Sequence, residues 1–210
     1  MLTIKKEEDI MKIAINGFGR IGRLVFRLME EDNYFDVVAI NDLSTPEELA
    51  YLLKYDTNHR NYNKEITYDE ENIIIEGKKV RVYKEMDPTN LPWKELGIDL
   101  VFECTGKFTK EEDAMKHVTA GAKKVLVSAP CKGNVKTIVY NVNDDILDDS
   151  DKIVSAASCT TNCLAPVLKL VDDNFGIIKG FMTTIHAYTN DQVTLDVSHK
   201  KGSHSRRGRA

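Results

Sequence analysis

Short apolar runs closed by turn residues alternate along this chain with stretches in which apolar residues recur three and four positions apart. Residues 12–16 (Lys-Ile-Ala-Ile-Asn) form the first run and read as a short buried strand. Past a cluster of glycines, Ile21, Leu24, Val25 and Leu28 stand at i, i+3, i+4 and i+7, a single apolar stripe on one side of a helix. Residues 37–42 give the next strand. Thr45-Pro46-Glu47-Glu48 is a helix start, with proline in the first turn and acids near the positive end. Residues 66–68, 73–75 and 80–83 predict short antiparallel strands, with Glu76-Gly77 as a turn. The buried-strand pattern returns at 99–104, a helix follows over about 110–120, and strands are predicted over 125–129, 137–142 and 152–158.

Strands alternating with helices predict an α/β fold with a mainly parallel sheet covered by helices. After Cys159 the pattern changes: Leu164, Val167, Leu168 and Val171 make another helical stripe, and 180–188 reads as one strand. A helix, a strand and a basic loop are too little for a domain, so the expected architecture is one whose second half is missing. With 42% apolar and 30% charged residues, the 210-residue chain can bury a sizeable core and has the composition of a soluble globular protein. No apolar run approaches the roughly 18–20 residues of a membrane span. The first ten residues lack the apolar core and small-residue cleavage site of a secretory signal, so the expected location is cytoplasmic. A formal charge of −4 conceals an asymmetry, because residues 200–209 hold five basic residues and no acid, leaving −9 on the rest. That run reads as a solvated segment, or as an anion site for a phosphorylated ligand, rather than as a nucleic-acid surface.

Two motifs carry chemistry. Gly17-Phe18-Gly19-Arg20-Ile21-Gly22 follows a predicted strand and opens an amphipathic helix, and Asp42 ends the next strand 20 residues past Gly22. In that context the glycines allow a tight turn and close backbone approach, so a pyrophosphate can sit on the helix N-terminus while the acid accepts from ribose hydroxyls and repels a 2′-phosphate. Further on, Ala157-Ser158-Cys159-Thr160-Thr161-Asn162-Cys163 sets a thiol where a buried strand turns into a helix, and His186 follows Cys159 by 27 residues. A helix N-terminus favours the thiolate, the reactive form of cysteine, and a nearby histidine can hold it as an ion pair and move protons. The four cysteines (Cys104, Cys131, Cys159, Cys163) lack metal-ligand spacing, and no metal is expected. Cys163 reads as packing, and His59, His117, His199 and His204 as surface or structural histidines.

Taken together, these motifs resemble the phosphorylating glyceraldehyde-3-phosphate dehydrogenase family. The likeness runs in order through residues 11–210. It includes Ile15-Asn16-Gly17-Phe18-Gly19-Arg20-Ile21-Gly22, Asn41-Asp42-Leu43, Leu53-Lys54-Tyr55-Asp56, Glu103-Cys104-Thr105-Gly106-Lys107-Phe108, Ser128-Ala129-Pro130, Ser158-Cys159-Thr160-Thr161-Asn162 and His186-Ala187-Tyr188-Thr189-Asn190-Asp191-Gln192. The resemblance implies a Rossmann-type, mainly parallel sheet with helices on both faces, plus the beginning of a second α+β catalytic domain. Its domains would be an N-terminal extension at 1–10, an NAD-binding domain at 11–158 and the start of the catalytic domain at 159–210. By the same resemblance Cys159 is the nucleophile and His186 the acid/base. Asn16, Gly17, Phe18, Gly19, Arg20, Ile21, Asp42, Thr105 and Ser128 hold the cofactor, NAD, with NADP as an alternative suggested by Val197-Ser198. Ser158, Thr160 and Thr189 hold the substrate phosphate or inorganic phosphate. Asp191 lies near them, and one of Arg206, Arg207 or Arg209 contributes positive charge.

The implied reaction is oxidation and phosphorylation of glyceraldehyde 3-phosphate with inorganic phosphate through a Cys159 thioester. It would run in the cytoplasm, in a homotetramer of the full-length form, with this chain as a C-terminally truncated fragment. Erythrose-4-phosphate dehydrogenase and a non-catalytic NAD-binding or RNA-binding module are the rival readings. Among the departures from the family pattern, the length of the chain is the most serious; Ala156 where many members carry Asn, and Arg60 in place of the usual Gly after His59, are peripheral.

Overall fold

The computed structural model describes residues 10–187 and 189, other than 33 and 57. The chain runs β1 (Met11–Asn16), α1 (Arg20–Met29), β2 (Phe35–Asn41), α2 (Pro46–Lys54), β3 (Ile66–Tyr68), β4 (Asn72–Ile75) and β5 (Lys78–Tyr83). It continues with α3 (Trp93–Leu96), β6 (Leu100–Glu103), α4 (Glu111–Thr119), β7 (Lys124–Val127), β8 (Lys136–Thr137), β9 (Ile153–Ser155) and α5 (Cys159–Phe175). These strands form one sheet in the order β3-β4-β5-β2-β1-β6-β7-β9-β8. The β3–β4 and β4–β5 pairs are antiparallel and the other pairings parallel. The mainly parallel sheet expected from the alternation is therefore present. No helix among the described residues is long and apolar enough to cross a membrane.

Two apolar clusters sandwich the sheet. On one face Ile13, Ile15, Val37 and Ile40 pack with Phe26 of α1 and Leu49 and Leu53 of α2. On the other, Ala14, Ala39, Val101 and Val125 pack with Trp93 of α3 and Ala114 of α4. Helices thus cover both faces, and each central strand is apolar on both sides, as a parallel sheet requires.

Local chemistry sets several elements as read from the sequence. Thr45 Oγ1 accepts from the Glu48 N–H at 3.2 Å while Glu48 accepts from the Thr45 N–H at 3.1 Å, a reciprocal cap that starts α2 at Pro46. Glu76 and Gly77 both have positive φ, +49° and +83°, the turn whose twist suits a tight hairpin between β4 and β5.

Elsewhere the structure departs from expectation. The stripe Ile21, Leu24, Val25, Leu28 is not the buried face of α1, since Ile21 is 50% and Leu28 60% exposed. The helix instead turns Gly22, Phe26 and Met29 inward, with Arg27. The cause is Gly22: a Cβ there would lie 2.1 Å from the Gly17 carbonyl oxygen, so that side of the helix must face the turn. Arg27 is accommodated by donating to the carbonyls of Leu53 and Arg60 and by lying 5.0 Å over the Tyr62 ring.

Three predicted strands stop two or more residues short of their expected ends. The strand predicted at 125–129 ends at Val127. That at 137–142 is reduced to β8, because Asn143 binds the Thr137 carbonyl and the Val139 N–H and bends the chain. The one at 152–158 ends at Ser155, two residues before Ala157 enters the left-handed region at φ +61°.

The chain divides into two compact units, one ending at Leu170 and the other beginning at Val171. In the second, α5 stops where Gly176, at φ +74°, donates to the Asp172 carbonyl. The strand predicted at 180–188 is absent over 180–187, and Tyr188 lies outside the described residues. A strand needs a partner ladder, and no strand is present among the described residues of this unit; Phe181 and Ile185 are fully exposed. The helix predicted from Leu164, Val167, Leu168 and Val171 does form, yet α5 buries none of its residues.

Arg60 takes φ +64°, a conformation that disfavours residues with a Cβ, and this accounts for glycine being usual there in the resembled family. Arg60→Gly should raise stability by about 1 kcal/mol, read from urea unfolding, and unchanged or lower stability would contradict that account. Burial pushes both the Cys104 thiol and the Tyr62 hydroxyl up to about 12. With folded-state values above those of the unfolded chain, their contribution is complete below about pH 9 and is lost as pH rises toward 12. Urea midpoints should therefore fall over that window, and a flat alkaline limb would refute the assignment.

Candidate active site

The sheet order changes direction at β1, since β2 lies on one side and the chain later crosses to place β6 on the other. Crevices beyond the carboxyl ends of strands at such a point are the usual ligand sites of open α/β sheets. A cleft of about 360 Å³ lies here, lined among others by Gly17, Gly19, Asp42, Met86, Thr105 and Lys107.

Each wall has a local cause. Gly17, at φ +92°, donates to the Asn41 carbonyl at 2.8 Å; a Cβ on it would sit 2.7 Å from the Thr105 nitrogen and 2.8 Å from its Cγ2. The position is closed to any larger residue. Gly19 differs, with ordinary φ and nothing within 4 Å of where a Cβ would stand. Packing does not require that glycine, so what it leaves open is space over the start of α1. No side chain caps α1 and no acid sits in its first turn, which leaves the positive end of the helix turned to an incoming anion. Asp42 is held by the Phe18 N–H at 2.8 Å on one carboxylate oxygen and the Ser44 N–H at 3.0 Å on the other.

The structure brings Asn16, Gly17, Gly19, Asp42 and Thr105 of the expected cofactor residues to this one cleft. Phe18 contributes backbone only: its ring is buried and meets Phe26 edge-on at 5.5 Å. The Asn16 side chain is likewise consumed within the protein, accepting from Asn41 at 2.7 Å and donating to Glu103. Arg20 and Ile21 open α1 with exposed side chains. Ser128 follows β7, its N–H donating to the Glu103 carbonyl at 3.0 Å and its side chain bonding Cys104. Sequence reasoning assigned no role to Asn41, Glu85, Met86 or Lys107, which also line the cleft. Asn41 and Lys107 lie inside quoted motifs, whereas Glu85 and Met86 carried no signal.

The thiol site begins after β9. Ala157, in the left-handed region, turns the chain, and Ser158 caps α5 by accepting from the Thr161 N–H at 3.0 Å. Its hydroxyl also shares a hydrogen bond with Thr161 Oγ1 at 2.8 Å, and Asn162 ties back to the Ala156 carbonyl at 2.7 Å. Cys159 is the first residue of α5 and is exposed, the strand-to-helix placement read from the sequence. Thr160 follows it in the same turn. Cys163, expected to pack, is exposed as well, because α5 carries nothing over that face among the described residues. In the second unit His186 is exposed and its Nδ1 meets the Ala187 carbonyl, while Thr189 is half-buried. Asp191, Val197, Ser198, Arg206, Arg207 and Arg209 lie outside the described residues.

Two family models match the chain: the glyceraldehyde 3-phosphate dehydrogenase NAD-binding domain over residues 11–111, and the C-terminal domain of the same enzyme over 158–210. Among curated relatives, the glyceraldehyde-3-phosphate dehydrogenases of Clostridium pasteurianum and Clostridium acetobutylicum are each 58% identical over 199 residues. That of Mycoplasma pneumoniae is 52% identical over 201 residues. In each comparison 95% of this chain is covered, and the chain spans 59% of the relative's length.

Exposure separates the thiols, since Cys159 and Cys163 are open while burial raises Cys104 and Cys131 above the ordinary thiol range. Mass-mapped alkylation at neutral pH should label Cys159 and Cys163 first; early labelling of Cys104 would contradict the packing at the end of β6. Gly17→Ala should unfold the chain at lower urea by roughly 2 kcal/mol or more, whereas Gly19→Ala should leave the midpoint unchanged.

Proposed function

The chain belongs to the glyceraldehyde-3-phosphate dehydrogenase family, and from that premise we propose that it carries the cofactor-binding and thiol-bearing parts of the phosphorylating enzyme. The observation that carries this reading is the cleft over α1, with space kept open at Gly19 and a positive helix end beneath it. Those features fit a pyrophosphate. The Asp42 carboxylate, steadied by two backbone N–H groups, retains acceptor capacity for ribose hydroxyls and opposes a 2′-phosphate, which favours NAD over NADP. Thr105 and Ser128 complete the cofactor set. When bound there, NAD supplies a two-electron hydride acceptor.

This chain's residues then do the following. Cys159, at the positive end of α5, is favoured as thiolate and adds to the aldehyde carbon of glyceraldehyde 3-phosphate, giving a hemithioacetal. His186 takes the hydroxyl proton as that carbon loses hydride, and a thioester to Cys159 remains. The Cys159 backbone N–H stabilises the oxyanion, a contribution of about 3 kcal/mol for one such donor. Inorganic phosphate attacks the thioester carbon, the C–S bond breaks, and Cys159 leaves as thiolate with an acyl phosphate released. Ser158, Thr160 and Thr189 hold the phosphate groups. The same reading makes the working form a homotetramer of the full-length protein in the cytoplasm, with domains meeting near residues 158 and 159.

Calorimetric titration with NAD and absorbance assay of NADH formation from glyceraldehyde 3-phosphate, with and without phosphate, test this directly. Saturable NAD binding that weakens about tenfold in Gly19→Ala is expected, because the added methyl fills the open space. Turnover should require phosphate and vanish in Cys159→Ala. No NAD binding would overturn the cofactor reading, and NADH formation that ignores phosphate would overturn the thioester route.

A further inference from the structure

Beneath the cleft lies a buried polar cluster that the proposed chemistry does not use. Glu103, 1% exposed, accepts four hydrogen bonds on its two carboxylate oxygens. Oε2 accepts from Asn16 Nδ2 and from His117 Nε2 at 3.1 Å; Oε1 accepts from the Thr105 N–H at 2.8 Å and from the Thr105 hydroxyl. Asn16 leads directly into Gly17 and so belongs to the wall built by the glycine turn. Thr105 belongs to the wall that follows β6. One oxygen therefore holds each wall, and the missing Cβ of Gly17 lets the two walls touch behind.

The carboxylate is itself held. His117 of α4 is 0% exposed, and its Nδ1 receives the Trp93 Nε1–H at 3.0 Å. An indole nitrogen can only donate, so Nδ1 is the acceptor and the ring hydrogen lies on Nε2, aimed at Glu103. Asn16 Nδ2 and His117 Nε2 lie 3.3 Å apart because both donate to the same oxygen. The chain Trp93–His117–Glu103 thus reaches from the helix layer to both walls, with each hydrogen assigned.

We propose that Glu103 is a positioning residue that sets the separation of the two walls of the dinucleotide cleft, with His117, locked by Trp93 as the Nε2–H tautomer, fixing its carboxylate. The proposal rests on the reading that NAD occupies the cleft. An amide at position 103 keeps the size of the side chain but turns one acceptor into a donor facing donors, so one wall loses its tie.

The test is NAD titration of the folded chain and of Glu103→Gln and Trp93→Phe, with ¹⁵N NMR of His117 and amide exchange at Gly17 and Thr105. Glu103→Gln should bind NAD roughly tenfold or more weakly, the scale of one hydrogen bond to a charged group, and should speed exchange at Thr105 or Gly17. Trp93→Phe should give His117 a mixture of tautomers and weaken NAD by about threefold. A folded Glu103→Gln with wild-type affinity overturns the proposal. Should that variant fail to fold, Trp93→Phe decides, and redistributed tautomers with unchanged affinity overturn it. A wild-type chain that does not bind NAD sinks the cofactor reading instead; amide exchange unaltered by the substitutions then overturns the wall-setting role separately.

Discussion

Three polar side chains on one rung of the sheet, Asn41, Asn16 and Glu103, constrain everything at its functional end. The parallel register sets Asn16 opposite Asn41 on one side and opposite Glu103 on the other. Each is the last residue of its strand, and each is buried. Removing polar groups from water is costly unless every donor and acceptor finds a partner, and here the partners are one another. Asn41 extends the row by donating to the Glu85 carbonyl at 2.9 Å and accepting the Glu85 N–H at 2.8 Å. The ends of β2, β1 and β6 and the loop after β5 are thereby fixed together. The glycine turn leaves from that fixed edge, which is why its backbone can be placed closely enough to form a cleft at all.

Much of the fold was legible because local chemistry decides it. The Thr45–Glu48 cap, the Glu76-Gly77 turn and the runs that became β1, β2 and β6 need only near neighbours to declare themselves. What sequence could not supply was direction. The apolar stripe of α1 was misread because a backbone contact at Gly22, and not the balance of apolar residues, decides which side faces inward. Phe18 sits inside the glycine motif and Asn16 just before it, yet the Phe18 ring is buried and the Asn16 side chain is taken up by Asn41 and Glu103. His117 read as one of several surface or structural histidines; its buried place depends on Trp93, 24 positions earlier, and Glu103, 14 positions earlier. No local pattern announces such a triad.

The segment after Ser155 shows the opposite case. Its start is strongly determined: Ala157 turns, Ser158 caps and Asn162 ties the first turn back to the Ala156 carbonyl, which places Cys159 at the opening of α5. Its continuation is not. The apolar positions of α5 remain unburied and 180–187 forms no ladder, although the periodicity that predicted them is genuine. Periodicity states that a face is suited to burial: α5 forms with that face uncovered, whereas a strand needs a partner ladder to form at all.

The pairing of β1 with β6 has a kinetic consequence. Asn16 and Glu103 are 87 residues apart, and every segment between them must be made before the rung can close. Until β6 docks, β1 has β2 on one side and an unpaired row of N–H and C=O groups on the other. Contacts of such sequence separation form slowly, since a long loop must be closed before they return any energy. During synthesis the apolar strand Ile13-Ala14-Ile15 therefore spends its most vulnerable interval as a sheet edge, exposed to strands of other nascent chains. The edge that β6 covers in the finished molecule is, for that interval, a site of mispairing.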